Sequence, residues 1–188
     1  SLYNQGVSAV NNKDDPKHLE HALKCFADAC NADPTWGTAF YHAGCNYSDL
    51  NAISAALACW RRALENGLDE GTKAKCMVNI GYRLHNIGKS REAEAITQEA
   101  LAIDPNLQYG WVHLSQIYTI YGKIPEALKA AERAYDLLPS DTIVELSYAF
   151  ALLQARKLKE GFKHFEVRFP YKLKSYLNLP YAKWEGES

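Results

Sequence analysis

The sequence predicts an all-α chain built as an array of about five helix-turn-helix pairs, and three observations lead there. A motif that opens on a small residue and usually carries an aromatic four positions later recurs along the chain. Its leading positions are Ala22, Ala56, Ala93, Ala127 and Gly161, separated by 34, 37, 34 and 34 residues. Before each motif lies a partner segment with a small residue of its own: LYNQG, FYHAG, MVNIG, WVHLS and ELSYA. Strand signals are almost absent. Self-similarity at such a period marks stacked helical units, each burying its apolar face against its neighbours.

The first pair joins LYNQG to ALKCFADACNADP, and the stretch NNKDDPKHLEH between them carries about four extra residues. A longer, polar internal turn is expected there. Asp33-Pro34 ends the second helix, because proline disfavours helix in the residue before it. In the second pair, FYHAG and ALACWRRALENGL, Gly44 and Ala56 let the two helices approach closely, while Trp60 fills the gap between hairpins. GLDEGTKAK then replaces the expected proline and adds three residues, so this junction should change the local angle or flex more than the others.

The third pair, MVNIG and AEAITQEALAIDP, uses Gly81 and Ala93 for close packing and ends at Asp104-Pro105. Gly88-Lys89 sits at its tight internal turn, as Gly122-Lys123 does in the fourth pair, where glycine accepts a left-handed cap. The fourth pair, WVHLS and ALKAAERAYDLLP, places Ala131 at the aromatic position, with Trp111 and Tyr118 filling gaps between hairpins. The fifth motif, GFKHFEVRF, is a degraded copy, and the residues after Pro170 lie off the lattice.

In the fourth copy Trp111, Leu114, Ser115, Tyr118, Ala127, Ala134 and Pro139 match W-x-x-L-G-x-x-Y, then A-x-x-x-F, then P. This pattern resembles the tetratricopeptide repeat. The resemblance implies a right-handed superhelix, or solenoid, with residues 1–169 forming an array of five repeats whose first and fifth members are degenerate. Residues 170–188 would be an aromatic, basic segment that caps the array or links it to another domain.

A formal charge of −1 gives no general attraction to nucleic acid or to an anionic membrane surface. No apolar run approaches the length of a membrane span. The first residues, SLYNQGVSAV, show no basic region ahead of a hydrophobic stretch. Five cysteines, none spaced Cys-x-x-Cys, lie in alanine-rich helical sequence and read as small buried thiols of a cytoplasmic protein. The pairs His18/His21 and His42/Cys45 each offer only two ligands across a helical turn, too few for a metal site. Phosphate loops, nucleophile elbows and His-Glu-x-x-His are absent, so the chain is not expected to be an enzyme or to need a cofactor.

In tetratricopeptide arrays the first helix of each pair lines an inner groove that takes partner proteins. The resemblance turns the position two before each small packing residue toward that groove: Asn4, His42, Asn79, His113 and Ser147. All are polar and uncharged near neutral pH. Tyr41, Tyr82, His85, Tyr109 and Gln116 are expected to share the face, giving a partner-binding surface rich in aromatics and amides. YNQG and VNIG are similar to the N-L-G motif of O-GlcNAc transferase repeats, where an asparagine ladder holds the backbone of an extended peptide. A carboxamide suits that task because it both donates and accepts. The chaperone-binding type of array instead grips a terminal carboxylate with Lys and Asn. Here Tyr3, Val7 and His42 stand at those positions, so that partner is disfavoured.

Two other functions stay open. Gly161, Phe165, Glu166 and Arg168 resemble the G-W-x-x-Y-E-W-R-F signature of bacterial repeat proteins that continue, after a W-x-G linker, into a glycosyltransferase-like domain; Trp184-Glu185-Gly186 would be that linker. Alternatively the apolar tail, with Phe169, Tyr171, Tyr176, Leu177 and Trp184, docks on another copy of the chain. Residues 156–174 carry seven Lys or Arg against two Glu, but Pro170 and Pro180 interrupt the stretch and make nucleic acid an unfavoured partner.

Overall fold

A computed structural model describes residues 1–166 apart from Pro16, and the regular elements among them are all helices. The chain divides into two compact units, one spanning Ser1–Asp104 and the other beginning at Pro105. The segment 170–188 lies outside the described residues.

The first unit contains three antiparallel pairs: α1 (Leu2–Asn11) with α2 (His18–Ala32), α3 (Gly37–Asp49) with α4 (Ile53–Glu65), and α5 (Glu70–Asn86) with α6 (Ser90–Ile103). The second contains two, α7 (Gln108–Ile120) with α8 (Ile124–Leu137), and α9 (Thr142–Gln154) with α10 (Leu158–Phe165). These are the five pairs that the repeat spacing predicts. The chain leaves helix at Asp33 and Asp104, each directly before a proline.

Turn chemistry explains the boundaries within pairs. Gly88 (φ 83°) and Gly122 (φ 69°) adopt the left-handed conformation expected of them. The equivalent residues of the second and fifth pairs are Asn51 (φ 58°) and Arg156 (φ 60°), which occupy the same region with a Cβ. In the first pair the connection runs through residues 12–17, where the later pairs use three residues, as the longer NNKDDPKHLEH stretch implies.

The insertion GLDEGTKAK goes into a helix rather than into a longer connection. The connection from α4 to α5 takes residues 66–69, as short as the 33–36 connection before it. The added residues extend α5, which has 17 residues where α3, α7 and α9 have 13. Asp69 makes the extra turn possible: its carboxylate accepts from the Thr72 amide at 2.9 Å and caps the helix.

Packing within each pair rests on a small residue facing a residue sixteen positions later or, in the first pair, twenty. A Cβ on Gly6 would lie 2.8 Å from the Phe26 ring, one on Gly44 would lie 2.5 Å from the Trp60 indole, and one on Gly81 would collide with Thr97 Oγ1. Ser115 and Ala131, the corresponding pair in the second unit, are both buried. Trp60 and Phe26 are fully enclosed, and alanines 22, 56, 93 and 127 lie in the core at 0–1% exposure. In the second unit Val112, Ala134 and Val144 form a cluster that Trp111 and Tyr135 cover.

Candidate functional site

Residues at i, i+4, i+7 and i+11 share one side of a helix. On α3 that stripe is Thr38, His42, Cys45 and Asp49; on α5 it is Lys75, Asn79, Tyr82 and Asn86. On α7 it is Tyr109, His113, Gln116 and Ile120, and on α9 it is Ile143, Ser147, Phe150 and Gln154. Asn4 holds the matching place on α1. The candidate positions Asn4, His42, Asn79 and Tyr82 of the first unit, and Tyr109, His113, Gln116 and Ser147 of the second, therefore hold equivalent places on their own helices, whereas Tyr41 and His85 lie beside those stripes.

In the first unit two of the candidates meet at a third side chain. The Asn79 amide donates to Cys45 Sγ at 3.8 Å, and the Tyr41 hydroxyl interacts with both Cys45 and Asn79. Burial raises the Tyr41 hydroxyl well above its ordinary range and also raises the Cys45 thiol. Cys76, nearby on α5, is pushed up to about 12 by burial and then by Cys45, and its Sγ donates to the Trp60 carbonyl at 3.5 Å. These thiols stay protonated near neutral pH, which suits hydrogen bonding rather than nucleophilic chemistry. Asn79 is half-buried, so its carboxamide both ties α5 to α3 and reaches the surface.

One turn further along α5, the Arg83 guanidinium donates to the Ser48 carbonyl at 2.9 Å and to its hydroxyl through both Nε and a terminal nitrogen. Arg83 thereby adds a second donor to a carbonyl in the last turn of α3 that already accepts from the Asn51 amide at 3.0 Å, and it stacks over the Tyr82 ring, 5.0 Å from its centre. The sequence carries a signal for it: Arg83 lies four residues after Asn79, one turn along the same helix.

His42 occupies an aromatic nest. Its ring lies 5.5 Å from Tyr3, 5.6 Å from Phe26 and 5.1 Å from Tyr41, and desolvation lowers its pKa from the ordinary histidine value. It is thus a neutral imidazole at pH 7. His85 sits at the internal turn of its pair, where Nδ1 lies 3.3 Å from Ser90 Oγ, and burial lowers its pKa too. Asn4 is exposed in the first turn of α1, where its backbone N–H donates to Ser1 Oγ at 3.4 Å.

In the second unit Tyr109 donates its hydroxyl to Asp141 Oδ2 at 2.9 Å. Asp141 also caps α9, accepting from the amides of Ile143 and Val144 at 2.9 and 3.0 Å. Those bonds, the Val144 amide first, hold its carboxyl below the usual range. His113 and Ser147 are half-buried, while Gln116, Ile120, Ile143 and Phe150 are exposed. Tyr135 and Tyr148 stack at 4.9 Å with the His164 ring 5.1 Å from each, and His164 Nδ1 lies 3.2 Å from Glu145 Oε1.

Charge is distributed unevenly between the two kinds of helix. α1 and α7 have no charged side chain, α3 has only Asp49 and α9 only Glu145, whereas α8 alone carries five. α5 departs from this, with Glu70, Lys73 and Lys75 in its extended first part and Arg83 turned to Ser48. The first helices thus present mainly aromatics, amides, imidazoles and aliphatics. Among the described residues no group of three or more His, Cys, Asp or Glu side chains is placed to hold a metal ion.

Helix pairs at this spacing with small residues at the packing positions define a helical repeat protein. Residues 37–112 match the tetratrico peptide repeat family model, and the chain is a tetratricopeptide repeat array with an all-α solenoid fold. Among curated proteins it is 30% identical over 152 residues to superkiller protein 3 of Saccharomyces cerevisiae, covering 77% of this chain and 10% of that protein. It is 24% identical over 192 aligned positions to the protein of the same name in Schizosaccharomyces pombe, covering 82% and 14%. The chain thus spans about a tenth of the length of the curated relatives it matches.

Solved structures share its fold at lower identity. PilF of Pseudomonas aeruginosa matches with a TM-score of 0.73 at 19% identity, covering 94% of this chain and 78% of that one. MamA of Desulfovibrio magneticus matches with 0.71 at 16%, covering 94% and 95%. YrrB, described as a tetratricopeptide protein with an unusual peptide-binding site, matches with 0.62 at 16%, covering 94% and 98%.

Proposed function

We propose that the chain is a non-catalytic protein-interaction module that takes a segment of a partner protein along the exposed side of its first helices. The observation that carries this reading is the lattice itself. Within each unit hydrogen-bonding side chains stand at equivalent positions of the first helices, Asn79 half-buried in the first unit and His113 and Gln116 half-buried or exposed in the second. Apart from the start of α5, charged residues are concentrated on the second helices instead. A row of amides and imidazoles spaced by the repeat suits a backbone, whose donors and acceptors recur whatever the side chains. The described peptide-binding site of YrrB, a protein of the same fold, supports the same reading.

The test replaces Asn79 and His113 together by alanine and measures both partner capture and thermal stability. Capture should fall while the melting temperature stays within a few degrees. A large drop in stability with capture unchanged would assign these residues to packing instead. The five cysteines, each a free thiol, favour a reducing compartment and support a cytoplasmic working site. A second reading places the array ahead of a glycosyltransferase-like domain. It is supported by Gly161, Phe165, Glu166 and Arg168 in the sequence, and the reading frame beyond Ser188 tests it.

A further inference from the structure

The second unit carries an uncharged and partly apolar version of the lattice, and this narrows what it can hold. α7 and α9 pack against one another. Their stripes expose Tyr109, Gln116 and Ile120 on one helix and Ile143, Phe150 and Gln154 on the other. Ile120 is 64% exposed, Ile143 58% and Phe150 52%, more than any other large hydrophobic side chain among the described residues. They do not scatter. They fall at i+11, i and i+7 of the same repeat-spaced stripes as the amides.

The carboxylates of α9 and of its N-cap are already engaged. Glu145, the one charged residue of α9, lies 3.2 Å from His164, and Asp141 accepts from Tyr109 and from two helix amides. α7 has no charged residue at all. The stripes themselves offer a lysine or aspartate no opposite charge, so desolvating one there is penalised. Aliphatic or aromatic side chains would cover Ile120, Ile143 and Phe150, and the Gln116 and Gln154 carboxamides would meet the backbone between them.

We infer that the partner segment seated along α7 and α9 is an uncharged peptide in which aliphatic or aromatic residues alternate with small polar ones. This rests on the interaction-module reading and specifies its partner's chemistry.

The test pans a random library of peptides of about 12 residues, displayed on phage, against the full chain. Recovered peptides should be depleted in Asp, Glu, Lys and Arg relative to the library. Fluorescence anisotropy of one labelled peptide should change in affinity by less than about twofold between roughly 0.05 and 0.5 M NaCl. Gln116→Lys and Phe150→Lys should each weaken it by about tenfold, with the circular dichroism spectrum retained. Gln116 serves as the control for Phe150, whose ring also contacts Phe165 at 5.1 Å.

Enrichment of either charge among the peptides, or an affinity that falls steeply with salt, overturns the inference while leaving the interaction-module reading intact. So does a Gln116→Lys variant that binds as before. If that variant instead abolishes a concentration-dependent self-association, the occupant is a second copy and the inference falls. A library that yields no specific peptide at all overturns the module reading itself.

Discussion

Gly44 of α3 lies against the indole of Trp60 in α4, so close that a Cβ on Gly44 would fall 2.5 Å from both Cδ1 and Nε1. The indole is 1% exposed and donates to the Tyr41 carbonyl at 3.2 Å, so it has nowhere to retreat. Gly44→Ala should therefore destabilise the chain by about 1–3 kcal/mol through overpacking. In a Trp60→Leu background the same glycine change should cost less, because the two changes share one volume. Urea midpoints of the single and double variants check this. A neutral Gly44→Ala would mean that the pair has room the packing does not show.

Arg156 holds the left-handed conformation that glycine supplies at Gly88 and Gly122. A non-glycine residue there costs about 1–2 kcal/mol, partly offset in a glycine variant by a freer unfolded chain. Arg156→Gly should raise stability by about 0.5–1 kcal/mol, measured as a shift in the denaturant midpoint at constant slope. Asn51→Gly should gain less, since asparagine tolerates this region better than arginine does.

Asp141 joins two tasks, capping α9 and anchoring Tyr109. Asp141→Ala should cost about 1–2 kcal/mol by loss of the cap. Its folded pKa is depressed, so the stability it contributes is full above the unfolded carboxylate value of about 3.9 and is lost as pH falls through the lower folded value. Acid titration of unfolding should show this loss in the native sequence and a shallower one in Asp141→Asn. Identical acid limbs would remove the charged cap from the account.

His42 titrates with the opposite chemistry but the same sign of dependence on pH. Burial lowers its folded pKa, so stability is full above the unfolded value of about 6.5 and declines as pH drops through the folded value. His85 is shifted in the same direction and contributes its own part. His42→Phe, which keeps a ring among Tyr3, Phe26 and Tyr41, should reduce the stability lost on acidifying from neutral pH. Thermal melts across that interval check it, and an unchanged slope would assign the whole effect to His85 or to other groups.

The fold is legible in the sequence because its signal is repetitive. Gly44 and Trp60, or Gly81 and Ala93, recur at the right offsets, and two glycine turns can be read directly. Asn51 and Arg156 are not legible as left-handed residues, since nothing in their chemistry announces a positive φ and only the lattice reveals it. The candidate positions Asn79, His113 and Gln116 can be placed on a helix face, but their partners cannot. Asn79 bonds to a thiol 34 residues earlier, and Arg83 to Ser48 35 residues earlier, contacts that depend on how neighbouring pairs stack. The extra turn of α5 is not legible in the sequence, because spacing counts residues without saying whether helix or loop receives them.

That extra turn has a consequence for how such a chain tolerates change in length. Four more residues add about 6 Å of helix ahead of Ala74, while everything from Met77 onward keeps its phase relative to Ala93. An insertion placed after Asn79 would instead rotate Tyr82, Arg83 and Leu84 away from their contacts by about 100° per residue. Genetic slippage at the start of a helix is therefore silent to the lattice, and the same slippage a few codons later is not. The junction at residues 66–72 marks a place where the array can grow without losing count.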